Sequence, residues 1–438
     1  MMLSQLLLPL ALVALAWTLA FATRLPERWP NWRWYVTGYP HTALRVMVTW
    51  RKVAHLNDLT VSHKPNRRLL GDLAVKGDPL RSHAPRCSIP RPLPNGLSVR
   101  VRLHPGQTPA PFLAAAEALA HAWRVHAVRV VSPERGVVLI TATAADPLEH
   151  PEQPTGEVPG SLLSAVVGAL ETGGAWVIDF RQVPHWLIVG ATRTGKSTLI
   201  ARLITELAPQ PVAIVGIDCK GGMELGLFAQ RLSALATCRS EAVAVLGALV
   251  VDVQDRMRTC RATGARSIWE LPEKERPVPV VVVVDEMAEL YLTNGAREQR
   301  AEAEQCSTYL LRLAQLGAAL GVHLVVAGQR VGSDLGPGVT ALRAQLSGRV
   351  CHRVNDPGTA EMTLGDLNKD AVAVAQSIGE AEQGVAVTTG GTGGWMRGRS
   401  HLTTPAAAQV TAAEYAGLAF RLPGVARALE DLDGGESA

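Results

Sequence analysis

The sequence predicts an α/β fold: a core of mainly parallel sheet, a small α+β domain before it, and one N-terminal transmembrane helix. Three observations lead there. Residues 3–22 form a 20-residue run, mostly apolar and without a charged side chain, long enough to cross a bilayer core as a helix. Residues 186–189 (WLIV) are an apolar strand that enters a glycine-rich turn, and an apolar-periodic helix over 198–207 leaves it. Residues 278–284 hold six valines in seven positions, a composition suited to the buried centre of a parallel sheet. A chain of 438 residues, 47% of them apolar, has room for two or three domains and is not globally disordered. Its six cysteines contain no CxxC pair, which argues against a disulfide scaffold or a structural zinc site.

Charge is unevenly placed. Residues 23–105 carry 15 Lys/Arg against 4 Asp/Glu, so with a net charge of +4 everything beyond residue 105 sums to −7. A uniform basic coat over the bulk of the chain is therefore excluded. After the apolar run come Arg24, Arg28 and Arg33, interleaved with Trp29, Trp32, Trp34 and Tyr35. Cations beside a span mark the cytoplasmic side, and Trp/Tyr suit the headgroup zone. The expectation is a single-pass protein of the cell membrane with its C-terminal body in the cytoplasm. A cleaved signal peptide is the rival reading, through Ala20-Phe21-Ala22, but the run lacks a positive leading segment.

The chain then divides by composition. Residues 1–22 are the transmembrane anchor and 23–94 a basic juxtamembrane region and linker, whose basic run through Arg51-Lys52 and Lys64 to Arg68 suits anionic lipid or solvent alike. Residues 95–150 read as a small α+β adaptor domain, with strands over 97–103, 127–131 and 136–142 and a helix over 111–125. His121 and His126 flank that helix end and are read as surface histidines. Residues 151–182 are a connector, 183–402 a motor domain, and 403–438 an acidic tail.

The motor carries the chemistry. Residues 190–197 match G-x-x-x-x-G-K-S with a strand before and a helix after. The nucleotide-binding set is Gly190, Ala191, Thr192, Arg193, Thr194, Gly195, Lys196, Ser197 and Thr198. Glycines permit the tight turn that points backbone N–H groups at phosphate oxygens, and the helix N-terminus adds partial positive charge. Lys196 is expected to bridge the β- and γ-phosphates of ATP and Ser197 to ligate Mg²⁺. The valine run ends in Asp285-Glu286, at the strand end where α/β sheets hold ligands. Asp285 is the expected second partner of Mg²⁺; Glu286 is placed to polarise the attacking water. A further strand over 322–327 ends in Gly328-Gln329-Arg330, and Gln329 is a candidate reporter of the γ-phosphate. The alternative reading of Gln329 is a solvated strand end.

Four ordered segments, 190–198, 217–222 (IDCKGG), 283–290 (VVDEMAEL) and 321–330 (GVHLVVAGQR), together resemble the successive motifs of FtsK/SpoIIIE-type DNA translocases. The subgroup most resembled is the actinobacterial plasmid and integrative-element transfer proteins, which share the 345–353 segment and its continuation to 364–366. The resemblance implies a RecA-like P-loop NTPase core, a homo-hexameric ring, and ATP-driven passage of double-stranded DNA through a central pore during conjugation.

Departures limit what carries over. Ala318 stands where many relatives have an arginine, leaving Arg330, Arg349 or Arg353 as candidates for a residue acting across a subunit interface. The 37 residues after His401 are short for the winged-helix module with which relatives read DNA sequence, so specific recognition is expected to come from a separate protein or to be absent. The Gly-rich segment 330–343, with arginine at both ends, reads as a pore loop on DNA phosphates or as an ordinary surface loop. Two other classes compete. A protein-secretion ATPase of the type VII kind normally strings several ATPase modules together, whereas one P-loop occurs here; a coupling protein for single strands would carry an all-α insertion.

Overall fold

The computed structural model describes residues 34–63, 81–149, 160–365, 369–389 and 394–435. The expected anchor, residues 1–22, lies outside them, as do Trp29, Trp32 and the 64–68 segment. No helix among the described residues is long and apolar enough to cross a membrane. The chain forms two units, divided at Pro147/Leu148.

The first unit is larger than an adaptor beginning at residue 95. Helix α1 (Tyr39–Leu56) and strands β1 (Val61–His63), β2 (Arg81–His83), β3 (Arg86–Cys87) and β4 (Arg91–Leu93) fall in the segment read from its charge as a linker. They are followed by β5 (Gly96–Arg102), α2 (Ala110–Ala114), α3 (Ala116–Trp123), β6 (Ala127–Glu134) and β7 (Val137–Thr143). The sheet order is β3-β5-β7-β6, with β4 also on β5. Alternation along β5 and β7 sends Leu97, Val99, Val101, Val138, Ile140 and Ala142 to one face. There they meet Val46, Trp50 and Val53 of α1 and Leu119 and Trp123 of α3. Trp50 is what makes α1 part of the domain: it is buried, and its indole N–H donates to the Pro85 carbonyl at 2.9 Å.

The second unit holds a ten-stranded mixed sheet. Its strands are β8 (Ser164–Leu170), β9 (Ala175–Asp179), β10 (His185–Val189), β11 (Ala213–Ile217), β12 (Ala234–Ala236), β13 (Val280–Val284), β14 (Val322–Gly328), β15 (Gly348–His352), β16 (Val385–Thr389) and β17 (Trp395–Ser400). The order is β12-β11-β13-β14-β10-β15-β16-β17-β8-β9. Pairing is parallel from β12 to β15 and antiparallel from β15 to β9. The expected mainly parallel sheet is thus only its first six strands. Residues 151–182 are no mere connector, since β8 and β9 complete the far edge.

The parallel half is covered on both faces, which is why its strands read as unbroken apolar runs. Along β13, Val280, Val282 and Val284 face one core while Val281 and Val283 face the other. The first core is closed by α5 (Arg239–Thr263) and α7 (Arg297–Leu320); the second by α4 (Lys196–Leu207). Shorter helices α6 (Met287–Tyr291), α8 (Val339–Gln345), α9 (Pro357–Leu364) and α10 (Lys369–Ser377) fill the connections. The segment read as an acidic tail folds as α11 (Pro405–Glu414) and α12 (Pro423–Gly435). Ala408 and Ala412 of α11 enter the second core and Val425 of α12 the first, so these helices belong to the motor's packing.

Candidate active site

Every strand of the parallel half except edge strand β12 contributes its carboxyl end to one place. Strand β10 delivers the phosphate loop between β14 and β15. Arg193 (φ 62°) and Gly195 (φ 113°) take left-handed conformations that fold the loop back before α4 begins at Lys196. Two glycines are sterically required. A Cβ on Gly190 would lie 2.6 Å from Thr194 Oγ1 and 2.8 Å from His352 Cβ; one on Gly195 would lie 2.5 Å from Gly384 Cα.

The loop backbone is braced from three strands. The Gly190 N–H donates to the Gly328 carbonyl (3.3 Å), the Ala191 N–H to the Arg353 carbonyl (2.9 Å), and the Gly384 N–H to the Thr194 carbonyl (2.9 Å). The Thr194 hydroxyl donates to the Ala191 carbonyl at 2.8 Å. Thr192 and Arg193 stay exposed at the tip, and Ser197 and Thr198 are half-buried on the first turn of α4.

Glu286 is the centre of the polar cluster. Its Oε2 accepts from Lys196 Nζ (3.1 Å), Lys220 Nζ (3.4 Å) and Gln329 Nε2 (3.3 Å), and its Oε1 from the Gln329 N–H (3.2 Å). Lys196 Nζ also donates to the Asp285 carbonyl at 3.2 Å. Burial works to raise the Glu286 pKa, but the adjacent Lys196, with Lys220 and the Gln329 N–H, outweighs it and holds the carboxyl below its usual range. Glu286 is therefore a carboxylate at neutral pH, as a water-orienting group must be. Asp285 shifts the other way: burial raises its pKa against the pull of Lys196. Its Oδ1 is buried and has no hydrogen-bond partner, an orphaned oxygen of the kind a hard cation satisfies.

Lys196, Asp285, Glu286 and Gln329 are thus brought together at the strand ends, and the Thr192 hydroxyl, 3.4 Å from Gln329 Oε1, links the loop tip to the Gln329 amide. A cavity of about 240 Å³ opens beside Lys220, Glu286, Gln329 and Arg330. A cleft of about 420 Å³ lies in the first unit beside the Arg100–Glu134 ion pair.

Three contributors were not assigned roles from sequence. Lys220 is presented by a turn that Asp218 organises, its carboxylate accepting from the N–H groups of Lys220 (3.3 Å), Glu224 (2.9 Å) and Leu225 (3.1 Å). The position of Lys220 just past the end of β11 was a readable signal. His352 is fully buried against the loop, its Nδ1 3.0 Å from the Val385 carbonyl. Burial pushes its pKa down to about 4, so it is neutral. Gly384 enters only through the β15–β16 pairing, which no local pattern announces.

The arginine candidates separate clearly. The Arg349 side chain is buried and donates to the Arg343 carbonyl at 2.5 Å within its own subunit. It is removed from the candidates for a residue reaching across an interface. Arg353 is partly exposed and paired with Glu380 at 3.4 Å. Arg330 is 73% exposed, with only a 4.0 Å approach to Asp334. The 330–343 segment is less free than a surface loop with two available arginines, because Arg343 donates to the Val331 carbonyl at 3.0 Å and clasps its base.

Comparison with known proteins follows this geometry. The family model described as actinomycete conjugal transfer protein N-terminal domain matches residues 22–144, and the FtsK/SpoIIIE family model matches 153–274 and 269–333. Transfer protein TraSA of Streptomyces ambofaciens is 41% identical over 373 residues, covering 82% of this chain and 89% of that protein. DNA translocase FtsK of Campylobacter jejuni is 28% identical over 225 residues, 48% of this chain but only 23% of that protein. Among solved structures, the pCW3 conjugation coupling protein TcpA, in a monomer form with ATPgS, superimposes with a TM-score of 0.57 at 21% identity, covering 77% of this chain and 94% of that one.

Proposed function

This chain belongs to the FtsK/SpoIIIE family of ATPases, in the branch of the actinomycete conjugal transfer proteins, and from that premise we propose that it is a membrane-anchored, ATP-driven translocase of double-stranded DNA serving conjugal transfer. The observation that carries the catalytic part is the Glu286 cluster at the parallel strand ends. It joins a phosphate-binding lysine, an ionised carboxylate and a polar strand-end amide within one hydrogen-bonded group.

Lys196 and Lys220 both neutralise Glu286. When the phosphates enter the loop, Lys196 exchanges Glu286 for the β/γ-phosphate oxygens, a stronger set of charge-assisted partners. Glu286, freed of one cation, then accepts a hydrogen bond from the attacking water and orients it toward the γ-phosphorus. Gln329, bonded to the same carboxylate through both its N–H groups, moves when Glu286 moves. That couples the state of the γ-phosphate to strand β14 and the exposed Arg330 beyond it. Ser197 and Asp285 are the pair that would hold Mg²⁺, which supplies charge neutralisation between the β- and γ-phosphates; one hydroxyl and one carboxylate, with substrate phosphates, suit that ion.

The polymer reading rests on the family. It includes a homo-hexameric ring and contact with DNA phosphates through local patches such as Arg330; the membrane reading rests instead on the apolar run over 3–22 and the arginines after it, with the motor on the cytoplasmic side. The deciding experiment measures ATP hydrolysis by the chain with duplex DNA, with single strands and with no polymer. Stimulation by duplex, rising with its length and indifferent to scrambled sequence, is expected. No stimulation by any duplex would sink the DNA reading and favour a protein-secretion substrate.

A further inference from the structure

Helix α1 has two faces, and only one is covered by the described residues of its own unit. Thr42, Ala43, Val46, Trp50, Val53 and Ala54 are buried against the sheet. On the opposite face Leu44 is 61% exposed, Met47 57% and Val48 72%. Six of the fourteen exposed large apolar side chains among the described residues fall between positions 35 and 56. Such a concentration marks a surface built to be covered. The same face carries Arg51 and Lys52, both exposed, and the helix has no acidic residue in its 18 positions.

We infer that the outer face of α1 lies along an anionic lipid surface, with Leu44, Met47 and Val48 entering the acyl boundary and Arg51 and Lys52 meeting headgroup phosphates. The inference rests on the membrane-anchored reading above and extends it to a folded element outside the span. An apolar strip flanked by cations of one sign is the pattern of a helix lying in the interface plane, and lysine and arginine stems reach from an apolar contact to charged headgroups. Spanning is excluded for α1, because Arg45, Arg51 and Lys52 would have to cross the hydrocarbon. A second copy of the chain is disfavoured, since a two-fold contact through this face would set its cations against themselves. A duplex would satisfy Arg51 and Lys52 but leave the central apolar strip in water. Distance also permits the lipid contact: residues 23–33, the eleven between the apolar run and Trp34, extend at most about 40 Å.

The test uses the full chain in vesicles, with an environment-sensitive fluorophore at Met47→Cys in a background carrying Cys87→Ser, Cys219→Ser and Cys238→Ser. The reference position is Val410→Cys, exposed on α11. In phosphatidylglycerol-containing vesicles, a blue-shifted emission at 47, quenched by acyl-chain spin labels several-fold more than at 410, is expected. Arg51→Glu with Lys52→Glu should reduce that quenching, as should purely zwitterionic vesicles. Water-like emission at 47 from a chain still bound to vesicles overturns this inference and leaves the anchor reading standing. A chain that does not associate with vesicles overturns both. A blue shift that lipid quenchers do not touch and that grows with protein concentration, or one produced by duplex DNA without lipid, overturns it in favour of a second copy or of nucleic acid.

Discussion

The ten-stranded sheet has a six-strand parallel half and a four-strand antiparallel half, and the two carry very different shares of the chemistry. In the parallel half, crossover connections bring all carboxyl strand ends to one edge. The ends of β10, β11, β13, β14 and β15 therefore supply the phosphate loop, Asp218 and Lys220, Asp285 and Glu286, Gln329, and His352. In the antiparallel part the direction reverses at each pairing, and contact with the phosphate loop comes from the start of β16. It supplies one backbone N–H, from Gly384 to the Thr194 carbonyl. Convergence of function here follows from strand direction, and the antiparallel strands act as a brace. That division sets the order of effects that substitutions should have on turnover.

The largest effect belongs to Lys196→Ala. It removes the charge that meets the phosphates and leaves Glu286 buried with one fewer cation. Nucleotide binding and hydrolysis should both fall below detection, measured by fluorescent-nucleotide titration and phosphate release. Glu286→Gln comes next. It keeps the shape and one acceptor oxygen for the Gln329 N–H while deleting the carboxylate, so ATP should still bind while turnover drops by about 10²- to 10⁴-fold. Near-normal turnover in this variant would show that another group orients the water.

A smaller effect tests the brace itself. Gly384 has φ of 86° and Gly173, in the turn between β8 and β9 at the far edge, has φ of 84°. Alanine at either position imposes comparable backbone strain, of order 1–2 kcal/mol. Only Gly384 touches the phosphate loop, its Cα lying where a Gly195 side chain would go. Gly384→Ala should raise KM for ATP about tenfold by displacing the loop, and Gly173→Ala should leave it unchanged. Equal KM values in the two variants would mean that the antiparallel half holds the sheet and not the loop.

The same division explains what could be read from sequence. The phosphate loop and the valine run of β13 are local patterns: spacing and composition state them completely, and Lys196 from the first meets Glu286 from the end of the second. Strands β8, β9, β16 and β17 exist through pairing across long sequence separations, which a one-dimensional pattern does not record. Helix α1 was hidden by its own charge, since arginines on its outer face made the segment read as a linker although Trp50 anchors it. Arg349 failed in the opposite direction. Its charge was taken as availability, but its place on β15, between β10 and β16, buries it.

The smallest expected effect on turnover concerns the opposite edge of the parallel half, where chemistry should be absent. His185 begins β10 and His323 lies near the start of β14, with ring centroids 6.4 Å apart. Both are buried, which lowers the pKa of His185 to about 4 and that of His323 to about 3, the neighbouring ring adding to the effect at His323. On acidification below about 6.5 the unfolded chain takes up protons before the folded one does. Stability contributed by the neutral rings is therefore complete above that pH and declines as pH falls toward 4, by about 1.4 kcal/mol per pH unit for each ring. His323→Asn keeps an amide N–H able to meet the Pro184 carbonyl, 3.2 Å from Nδ1, and cannot titrate. Denaturant unfolding of this variant at pH 7 and pH 5 should show a shallower acid loss than the parent, while kcat and KM for ATP at pH 7 stay unchanged. An altered KM would mean that the two edges are mechanically coupled through β14, whose carboxyl end carries Gln329, and the clean separation of chemistry from scaffold along the parallel strands would fail.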